Sequence, residues 1–413
     1  MDRRDFLRRA ALAGTSLLPV GRSAWAAAAP GADASDGRLV VILLRGAVDG
    51  LSVVVPYADA DYRRARASIA LERPGSDGGV LDLDGRFGLH PALAPLLPHW
   101  QSDTLAFVHA SGSSDPTRSH FDAQDHMESG TPGRKSTPDG WMNRLLGALP
   151  GGPQPTTAVN LGPLLPRALS GPHPVATLPL GRAATRPVAL NRPQVSAAFD
   201  RLYGGDDALS RAYREAQTAR QEMMANLGDE MQAADNGAPL PNGFAQDAQR
   251  LARLMRRDGN VRIAFASLGG WDTHVNQGNA KGQLANRLQP LGEGLDAFVR
   301  ALGTDYARTA IVVLSEFGRT VRQNGTGGTD HGHGNVMWLL GGRVNGGKVH
   351  GEWPGLADAS LYQGRDLAIT TDFRSVLARV LGEQMRLPDA TLAAVFPALP
   401  GGADRLGRLF RPH

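Results

Sequence analysis

Five short apolar runs, each close to continuous, constrain the fold of this 413-residue chain more than any other feature. Strands buried on both faces of a parallel sheet have this pattern, whereas half-exposed strands alternate apolar and polar residues. Helical patterns separate the runs, and strands that alternate with helices form a doubly wound, mostly parallel α/β sheet. The predicted strands are residues 39–44, 105–108, 261–266, 310–314 and 336–340. The predicted helices are residues 91–100, 119–129, 287–302 and 373–381, the last with Asp372 as N-cap.

The stretch from residue 207 to residue 257 has a different character, because Ala, Arg, Gln and Glu recur there at helical spacing. This pattern predicts two helices that form a cap or an insertion in a single large domain covering residues 27–413. The chain has no cysteine, so disulfides, thiolate zinc sites and iron–sulfur clusters are excluded. The domain must therefore be stabilised by its core.

Residues 1–26 have the order of features of a twin-arginine export signal. Arg3 and Arg4 begin the motif, a weakly apolar stretch follows at residues 10–20, and a small-residue site lies at residues 24–26. The alternative, a basic amphipathic helix that belongs to the fold, explains less of this order. The apolar stretch is shorter than the roughly 20 residues of a membrane span. We therefore expect export in the folded state by the twin-arginine translocase, to the periplasm or the exterior, without a stable membrane anchor.

Part of the positive charge belongs to this segment. Residues 1–26 contain five arginines and two aspartates, so their removal lowers the formal net charge from +4 to +1. A chain with so little excess charge has no electrostatic footprint for nucleic acid. We therefore expect no nucleic-acid partner.

Polar motifs lie at the ends of the predicted strands. Ligands of doubly wound sheets bind outside the carboxyl ends of the strands, so residues at several strand ends share one rim. The motifs are residues 45–50, 111–120, 269–274 and 315–320 after the first four strands, and residues 329–334 before the fifth. The sequence therefore predicts one functional site built from several distant segments.

The reactive groups of these motifs are carboxylates, imidazoles and hydroxyls. Such a set, without thiols, suits a divalent cation such as Zn, Mn, Mg or Ca. Several carboxylates at one rim would also repel each other unless cations lay among them. The candidate residues are Asp49, Asp272, Glu316, Asp330, His274, His331 and His333, with hydroxyls at Thr117 and Ser119.

Each candidate also has a structural explanation. Asp49 with Gly50 is equally typical of a turn, and Asp272 and His274 are also explained as loop residues. Glu316 follows a buried strand directly, where a carboxylate without a partner is costly. The Asp-His-Gly-His-Gly run from Asp330 is the most specific motif, because two imidazoles in a glycine frame are rarely structural.

The motifs together resemble the exported bacterial family known as domain of unknown function 1501, over nearly all of the chain after the signal. The family in turn resembles the alkaline phosphatase and sulfatase superfamily. The resemblance rests on Leu-Leu-Arg-Gly-Ala-Val-Asp-Gly (43–50), Thr-Arg-Ser-His-Phe-Asp-Ala-Gln-Asp (117–125), Gly-Gly-Trp-Asp-Thr-His (269–274), Ser-Glu-Phe-Gly-Arg-Thr (315–320) and Gly-Thr-Asp-His-Gly-His-Gly (328–334). It implies an alkaline-phosphatase-like fold.

The resemblance also implies roles for single residues. It matches Asp49 to the first metal-binding Asp, Ser119 or Thr117 to the nucleophile, Asp272 with His274 to the Asp/His pair, Glu316 to the late Asp, and His331 to the final His. His274 or His333 would complete the metal shell. The late Asp-His of the superfamily is replaced by Glu316 and Phe317, so one imidazole is missing. This departure favours one metal, or a harder second ion.

These observations predict an exported metal-dependent hydrolase of phosphate or sulfate esters. Arg45 or Arg319 would bind the oxygens of a small anionic ester in bidentate fashion. The alternative is a non-catalytic periplasmic binding or assembly protein on the same fold, which the missing imidazole favours. A serine hydrolase is only weakly indicated, because no Gly-x-Ser-x-Gly motif occurs. Ser119 is equally explained as a helix N-cap, with Asp122 at the third helical position.

Overall fold

A computed structural model of the chain describes residues 37–135, 137–162, 165–179, 181, 243–401 and 406–412. The predicted export signal and residues 207–242 of the predicted insertion lie outside the described residues. Among the residues that are described, no helix combines the length and the apolar character needed to cross a bilayer.

The elements alternate between strands and helices along the chain. The strands are β1 Arg38–Leu44, β2 Val54–Val55, β3 Leu81–Asp82, β4 Gly88–Leu89, β5 Leu105–Gly112, β6 Ala158–Leu161, β7 Ala176–Leu178, β8 Ile263–Leu268, β9 Thr309–Ser315, β10 Asn335–Leu340, β11 Lys348–His350 and β12 Thr371–Asp372. The α-helices are α1 Gly50–Val53, α2 Ala60–Ala65, α3 Leu97–Gln101, α4 His120–Ser129, α5 Trp141–Ala148, α6 Phe244–Arg257, α7 Gln283–Leu302, α8 Phe373–Gln384 and α9 Asp389–Val395. Short 3₁₀ helices cover Pro91–Leu96, Arg167–Leu169, Gly303–Arg308 and Asp358–Ser360.

The described strands form one large sheet in the order β11-β5-β10-β9-β1-β8-β6-β7, with β12 beside β5, and one small sheet in the order β2-β4-β3. β1 is parallel to both β8 and β9, and β6 is parallel to β7 and β8. Leu44 at the end of β1 pairs with Leu268 of β8 and Ser315 of β9, so these three strands end at one level. The predicted mostly parallel α/β sheet is confirmed, and all five predicted strands are present.

β10 differs from the expectation for the fifth apolar run. It is antiparallel to both of its neighbours, β5 and β9, instead of parallel. A continuous apolar run shows that a strand is buried on both faces but not which way it runs. The direction matters for the site, because an antiparallel strand begins at the edge where its parallel neighbours end. Residues 329–334 therefore reach the carboxyl edge from the amino-terminal side of β10.

Helices cover both faces of the large sheet, which explains the continuous apolar runs. Val40 and Ile42 of β1 pack into a core with side chains of α6 and α7. Val41 and Leu43, one residue away, point to the opposite face and pack with side chains of α5 and α8. Successive strand residues alternate between the faces, so both faces must be apolar where both are covered.

The predicted helices are found with shifted bounds. Residues 91–100 divide into a 3₁₀ helix and α3, and prolines at Pro95 and Pro98 remove backbone donors there. Asp372 caps α8 as predicted, since its side chain accepts a hydrogen bond from the backbone of Arg374. α6 is the end of the predicted insertion, and it packs against α7 as part of the main core. β6 and β7 are too short to give a periodic signal in the sequence.

Candidate metal centre

Two loops pair backbone to backbone at the carboxyl edge of the sheet. The loop after β9 and the loop before β10 exchange hydrogen bonds: Gly318 N donates to His333 O (2.9 Å), and Gly332 N donates to Gly318 O (2.8 Å). A Cβ at Gly318 would lie 1.8 Å from Gly334 O, so only glycine permits this approach. The close approach at Gly318, Gly332 and Gly334 thereby fixes the position of the two loops relative to each other.

The loop after β8 joins the same assembly. Thr329 N donates to Thr273 O (3.2 Å), and Gln277 N donates to Gly327 O (2.9 Å). Helix α4 begins directly after the loop that follows β5, at the same edge. Segments from four parts of the chain therefore meet at one place.

Three imidazoles and one carboxylate converge there. His331 Nε2 lies 3.0 Å from both His120 Nε2 and His274 Nε2. Asp272 Oδ1 lies 3.0 Å from His274 Nε2 and 3.4 Å from His331 Nε2. Asp272 Oδ2 lies 3.6 Å from His120 Nε2. We call these four residues the imidazole cluster.

The other nitrogen of each ring, Nδ1, faces an oxygen acceptor. In the tautomer with the hydrogen on Nδ1, the Nε2 of the neutral ring has a free lone pair, although Asp272 Oδ1 is a second acceptor that faces His274 Nε2 at 3.0 Å. The three contacts from Nδ1 are His120 to Glu316 Oε1 (2.8 Å), His331 to the backbone oxygen of Arg118 (2.8 Å), and His274 to Asp330 Oδ1 (3.0 Å). With a hydrogen on each Nδ1, all three Nε2 lone pairs would point into the imidazole cluster.

This donor set fits a divalent metal. Three Nε2 lone pairs and a carboxylate oxygen at these distances repel each other unless a proton or a metal ion lies among them. Atoms bound to one tetrahedral Zn²⁺ at about 2.0–2.1 Å lie roughly 3.3 Å from each other, close to the separations found here. The ligand atoms of His120, Asp272 and His331 all lie within 4.8 Å of one another, and His274 joins this group through its contacts with His331 and Asp272.

Glu316 holds His120 from behind and does not itself join the cluster. Its carboxylate is fully buried, and Oε1 accepts hydrogen bonds from Gly46 N (2.8 Å) and Gln124 Nε2 (2.9 Å) as well as His120. Burial favours the neutral acid, but hydrogen bonds from His120, Gln124 and Gly46 outweigh it and hold the pKa of Glu316 below its ordinary value. The hydrogen bond from His120 to this carboxylate in turn raises the pKa of His120, which makes the imidazole a stronger ligand.

Arg319 lies buried beside Asp272. Its Nη2 donates to Asp272 Oδ1 at 2.6 Å. Although burial favours the neutral acid, the charge of Arg319 keeps the pKa of Asp272 below its ordinary value. The Nε and Nη1 atoms of Arg319 are buried and have no hydrogen-bond partner among the described residues. These two nitrogen atoms belong to the same guanidinium that binds Asp272 of the cluster.

Besides Glu316, two other residues predicted as metal ligands, Asp49 and His333, lie outside the imidazole cluster. Asp49 is fully buried and forms a bidentate ion pair with Arg66, and it also accepts hydrogen bonds from Ser52 (2.7 Å) and Gln277 (2.7 Å). Burial favours its neutral form, but Arg66 outweighs burial and lowers the pKa of Asp49. His333 stacks on Tyr362 instead, with ring centroids 4.3 Å apart. The structure thus brings together Asp272, His274 and His331, with Glu316 behind them, and leaves Asp49 and His333 outside.

The predicted catalytic residues have structural partners of their own. Ser119 is the N-cap of α4, as its alternative explanation predicted, and its Oγ accepts from Asp122 N at 3.5 Å. Thr117 Oγ1 accepts from Ser119 N at 3.2 Å. Arg45 binds the side chains of Gln124 and Glu128. Among the predicted anion-binding residues, Arg319 is the one that contacts the imidazole cluster.

His120 is the candidate ligand that the sequence analysis missed. It lies inside the motif of residues 117–125, at the first position of α4, but the motif was interpreted through its hydroxyls. Its ring packs 5.0 Å from that of Phe317, and Phe317 lies 5.2 Å from His331. His120 therefore places an imidazole beside Phe317 from the start of helix α4.

A mostly parallel α/β sheet with this imidazole cluster at its carboxyl edge defines the class: an α/β protein with a candidate metal centre. The chain belongs to the family described as proteins of unknown function, DUF1501, whose model matches residues 36–396. No curated protein sequence matches the chain.

Several solved structures are similar at low identity. The C-terminal periplasmic domain of EptC from Escherichia coli, in complex with Zn, has 10% identity and a TM-score of 0.35, over 74% of this chain and 73% of that chain. The lipoteichoic acid synthase LtaP from Listeria monocytogenes has 8% identity and a TM-score of 0.34, over 77% and 69%. A protein in the alkaline phosphatase superfamily from Vibrio parahaemolyticus has 11% identity and a TM-score of 0.33, over 74% and 60%. The activity must therefore be inferred from the site.

Proposed function

We propose that the protein is an exported metal-dependent hydrolase of phosphate or sulfate esters. The observation that carries this proposal is the convergence of three Nε2 atoms with the Asp272 carboxylate, in which His331 Nε2 lies 3.0 Å from the other two Nε2 atoms and the Asp272 oxygens lie 3.0–3.6 Å from the rings. Each ring is oriented by a separate acceptor, which is the usual construction of a histidine metal site. A loop with only a structural role gains nothing from gathering these polar groups, because polar groups are costly to bury without partners.

The donor chemistry favours Zn²⁺ among the candidate ions. Neutral imidazoles bind Zn²⁺ and other transition metals well, whereas Mg²⁺ and Ca²⁺ prefer shells made of oxygen. His120, His274 and His331 would hold the ion, with Asp272 as an oxygen ligand. When bound, such an ion polarises an ester oxygen and lowers the pKa of water.

Arg319 supports an anionic substrate. Its guanidinium is fixed by Asp272 through one nitrogen, and its two unpartnered donors belong to the same rigid plane. Charge-assisted hydrogen bonds from such a fork match the oxygens of a phosphate or sulfate.

Ser119 remains the proposed nucleophile, with Thr117 as the alternative. The N-terminus of α4, a helix of 10 residues, favours negative charge at Ser119 and orients backbone N–H groups towards it. Ser119 also directly precedes His120, one of the cluster residues. Substitution of Ser119 by Ala distinguishes the roles: loss of a cap costs about 1 kcal/mol of stability, whereas loss of a nucleophile removes turnover.

The test is metal analysis followed by an ester screen. The purified chain is stripped with a chelator, reloaded with Zn²⁺, Mn²⁺, Mg²⁺ or Ca²⁺, and assayed on aryl phosphate monoesters, diesters and sulfates. We expect one Zn²⁺ or more per chain and hydrolysis that depends on it. Metal binding without turnover on any ester would favour the non-catalytic binding or assembly protein. A chain that takes up no metal would end the proposal.

A further inference from the structure

One face of helix α4 carries a row of three polar side chains. His120, Gln124 and Glu128 are four residues apart, which places them one above the other on the same side of a helix. The row faces two residues at strand ends, Arg45 after β1 and Glu316 after β9. Helix α4 is therefore attached to the sheet edge by polar contacts as well as by packing.

The contacts along this row form an unbroken chain. Glu128 Oε1 accepts from Arg45 Nη2 at 2.6 Å, and Gln124 Oε1 accepts from Arg45 Nη1 at 2.5 Å. Gln124 Nε2 donates to Glu316 Oε1 at 2.9 Å, and the same oxygen faces His120 Nδ1 at 2.8 Å. Arg45 is thus linked to a cluster imidazole through two intervening side chains.

Arginine determines which way the amide of Gln124 points. A guanidinium has only donors, so the amide must turn its oxygen to Arg45. The NH₂ group of Gln124 then faces Glu316, whose ionised carboxylate has only acceptors. Both ends of the amide have one favourable orientation, and the two orientations agree.

We infer that Arg45 is a positioning residue for the metal centre, acting through Gln124 and Glu316 on His120, and that it is not an anion-binding residue. Both of its terminal nitrogens are already engaged by side chains of α4. By fixing Gln124 it keeps a donor on Glu316, and Glu316 in turn fixes the ring orientation and the tautomer of His120. The inference rests on the proposed metal site.

The competing explanation is that Arg45 merely attaches α4 to the sheet through its ion pair with Glu128. The side chains of Arg45 and Glu128 are 32% and 4% exposed, so this ion pair alone could hold the helix. The two roles differ in which partner of Arg45 matters. Positioning requires Gln124, whereas attachment requires Glu128.

The experiment measures the Zn²⁺ dissociation constant of the full chain by competition with a chromophoric chelator. Partners that orient metal ligands contribute about 10–100-fold to affinity, so Arg45→Met and Gln124→Met should each weaken binding about 10-fold. The double variant should be no weaker than either single one, because both changes break the same chain of contacts. Glu128→Gln, which removes the ion pair and leaves Gln124 in place, should stay within about twofold of wild type.

A second variant and a second readout guard against misfolding. Arg45→Lys keeps the charge opposite Glu128 but lacks the rigid fork that reaches two acceptors, so it should fold normally and still bind Zn²⁺ about 10-fold more weakly. The visible absorption of bound Co²⁺ should change in Arg45→Lys and Gln124→Met and stay unchanged in Glu128→Gln. The melting temperature of the metal-free variants checks the fold.

The outcomes separate this inference from the proposed function. If the wild-type chain binds no Zn²⁺, the proposed function fails. If the wild type binds Zn²⁺ and Glu128→Gln weakens binding as much as Arg45→Lys, Arg45 only attaches the helix and the inference is overturned. Additive losses in the double variant would also overturn it, since Arg45 would then act by a route that avoids Gln124.

Discussion

At the scale of single residues, His120 and His333 make a matched comparison within the site. Nε2 of His120 faces His331 at 3.0 Å, whereas the ring of His333 stacks on Tyr362. We expect His120→Ala to weaken Zn²⁺ binding by more than about 100-fold, since even residues behind a ligand contribute about 10–100-fold. His333→Gln should bind Zn²⁺ as the wild type does. Isothermal titration of both variants checks this, and equal losses would refute the assignment of ligands.

A second residue-scale prediction concerns buried histidine. Burial lowers the pKa of His109 to about 4 from its ordinary value of 6.5, although the hydrogen bond to the backbone of Val54 and the charge of Asp49 oppose the shift. Well above pH 6.5 the ring is neutral in both the folded and the unfolded chain, so protonation of His109 does not reduce the free energy of unfolding. As the pH falls below 6.5 only the unfolded chain takes up the proton, so stability is lost until the pH reaches about 4.

The corresponding measurement uses metal-free protein. From pH 7.5 to pH 5, His109 should account for about 2 kcal/mol of the loss in unfolding free energy. His109→Gln should lose correspondingly less over this range, by urea titration in the presence of a chelator. Other groups titrate in both proteins, so their effects cancel in the comparison. Equal pH dependence in the two proteins would show that His109 is not held neutral.

The sequence identifies a site residue more easily when its interaction partners lie nearby in the chain. Asp272, His274 and His331 stand in short polar motifs at strand ends, so the site could be predicted from their position. His120 could not, because Glu316, which reveals its role, is 196 residues away in the chain. Asp49 was predicted as a metal ligand, but it forms a buried ion pair with Arg66. The sequence pattern gave no sign of this pair, because Arg66 has no special position in it.

At the scale of elements, the apolar runs predicted the strands well and their directions less well. Burial on both faces leaves a continuous apolar pattern whichever way a strand runs, so the antiparallel β10 could not be distinguished from a parallel strand. The position of the Asp-His-Gly-His-Gly motif contained the missing information. A motif in front of a strand reaches the carboxyl edge of a sheet only if that strand is antiparallel.

The close approach of two loops gives the element-scale prediction. Gly318→Ala places a Cβ 1.8 Å from Gly334 O, so the loop after β9 must move away from the loop before β10. We expect a loss of about 3 kcal/mol in stability, at the upper end for an added methyl group, together with weaker Zn²⁺ binding. Gly325→Ala is the control, because no atom lies within 4 Å of its Cβ position. Urea unfolding of both variants tests this, and a neutral Gly318→Ala would mean that the loops are not in contact.

At the scale of the whole molecule, a metal that binds only the folded chain must stabilise all of it. With Zn²⁺ at 1,000 times its dissociation constant the gain is about 4 kcal/mol, which should raise the melting temperature by several degrees. His120→Ala should show little gain at the same concentration. An equal rise in this variant would place the bound Zn²⁺ outside the imidazole cluster.

The last prediction for the whole chain concerns export, and it depends on residues 1–26 alone. If the twin-arginine translocase recognises Arg3 and Arg4, changing both to Lys should leave the full-length chain in the cytoplasm, although the charge is unchanged. Arg8→Lys with Arg9→Lys makes the same chemical change outside the pair and should be exported and processed normally. Fractionation of cells that express each variant, with detection of the chain by size, measures both outcomes. Because this route carries folded proteins, the retained variant should be folded and stable in the cytoplasm. Recovery of the Arg3→Lys, Arg4→Lys chain from the periplasm in wild-type amount would show that the segment is a different kind of signal.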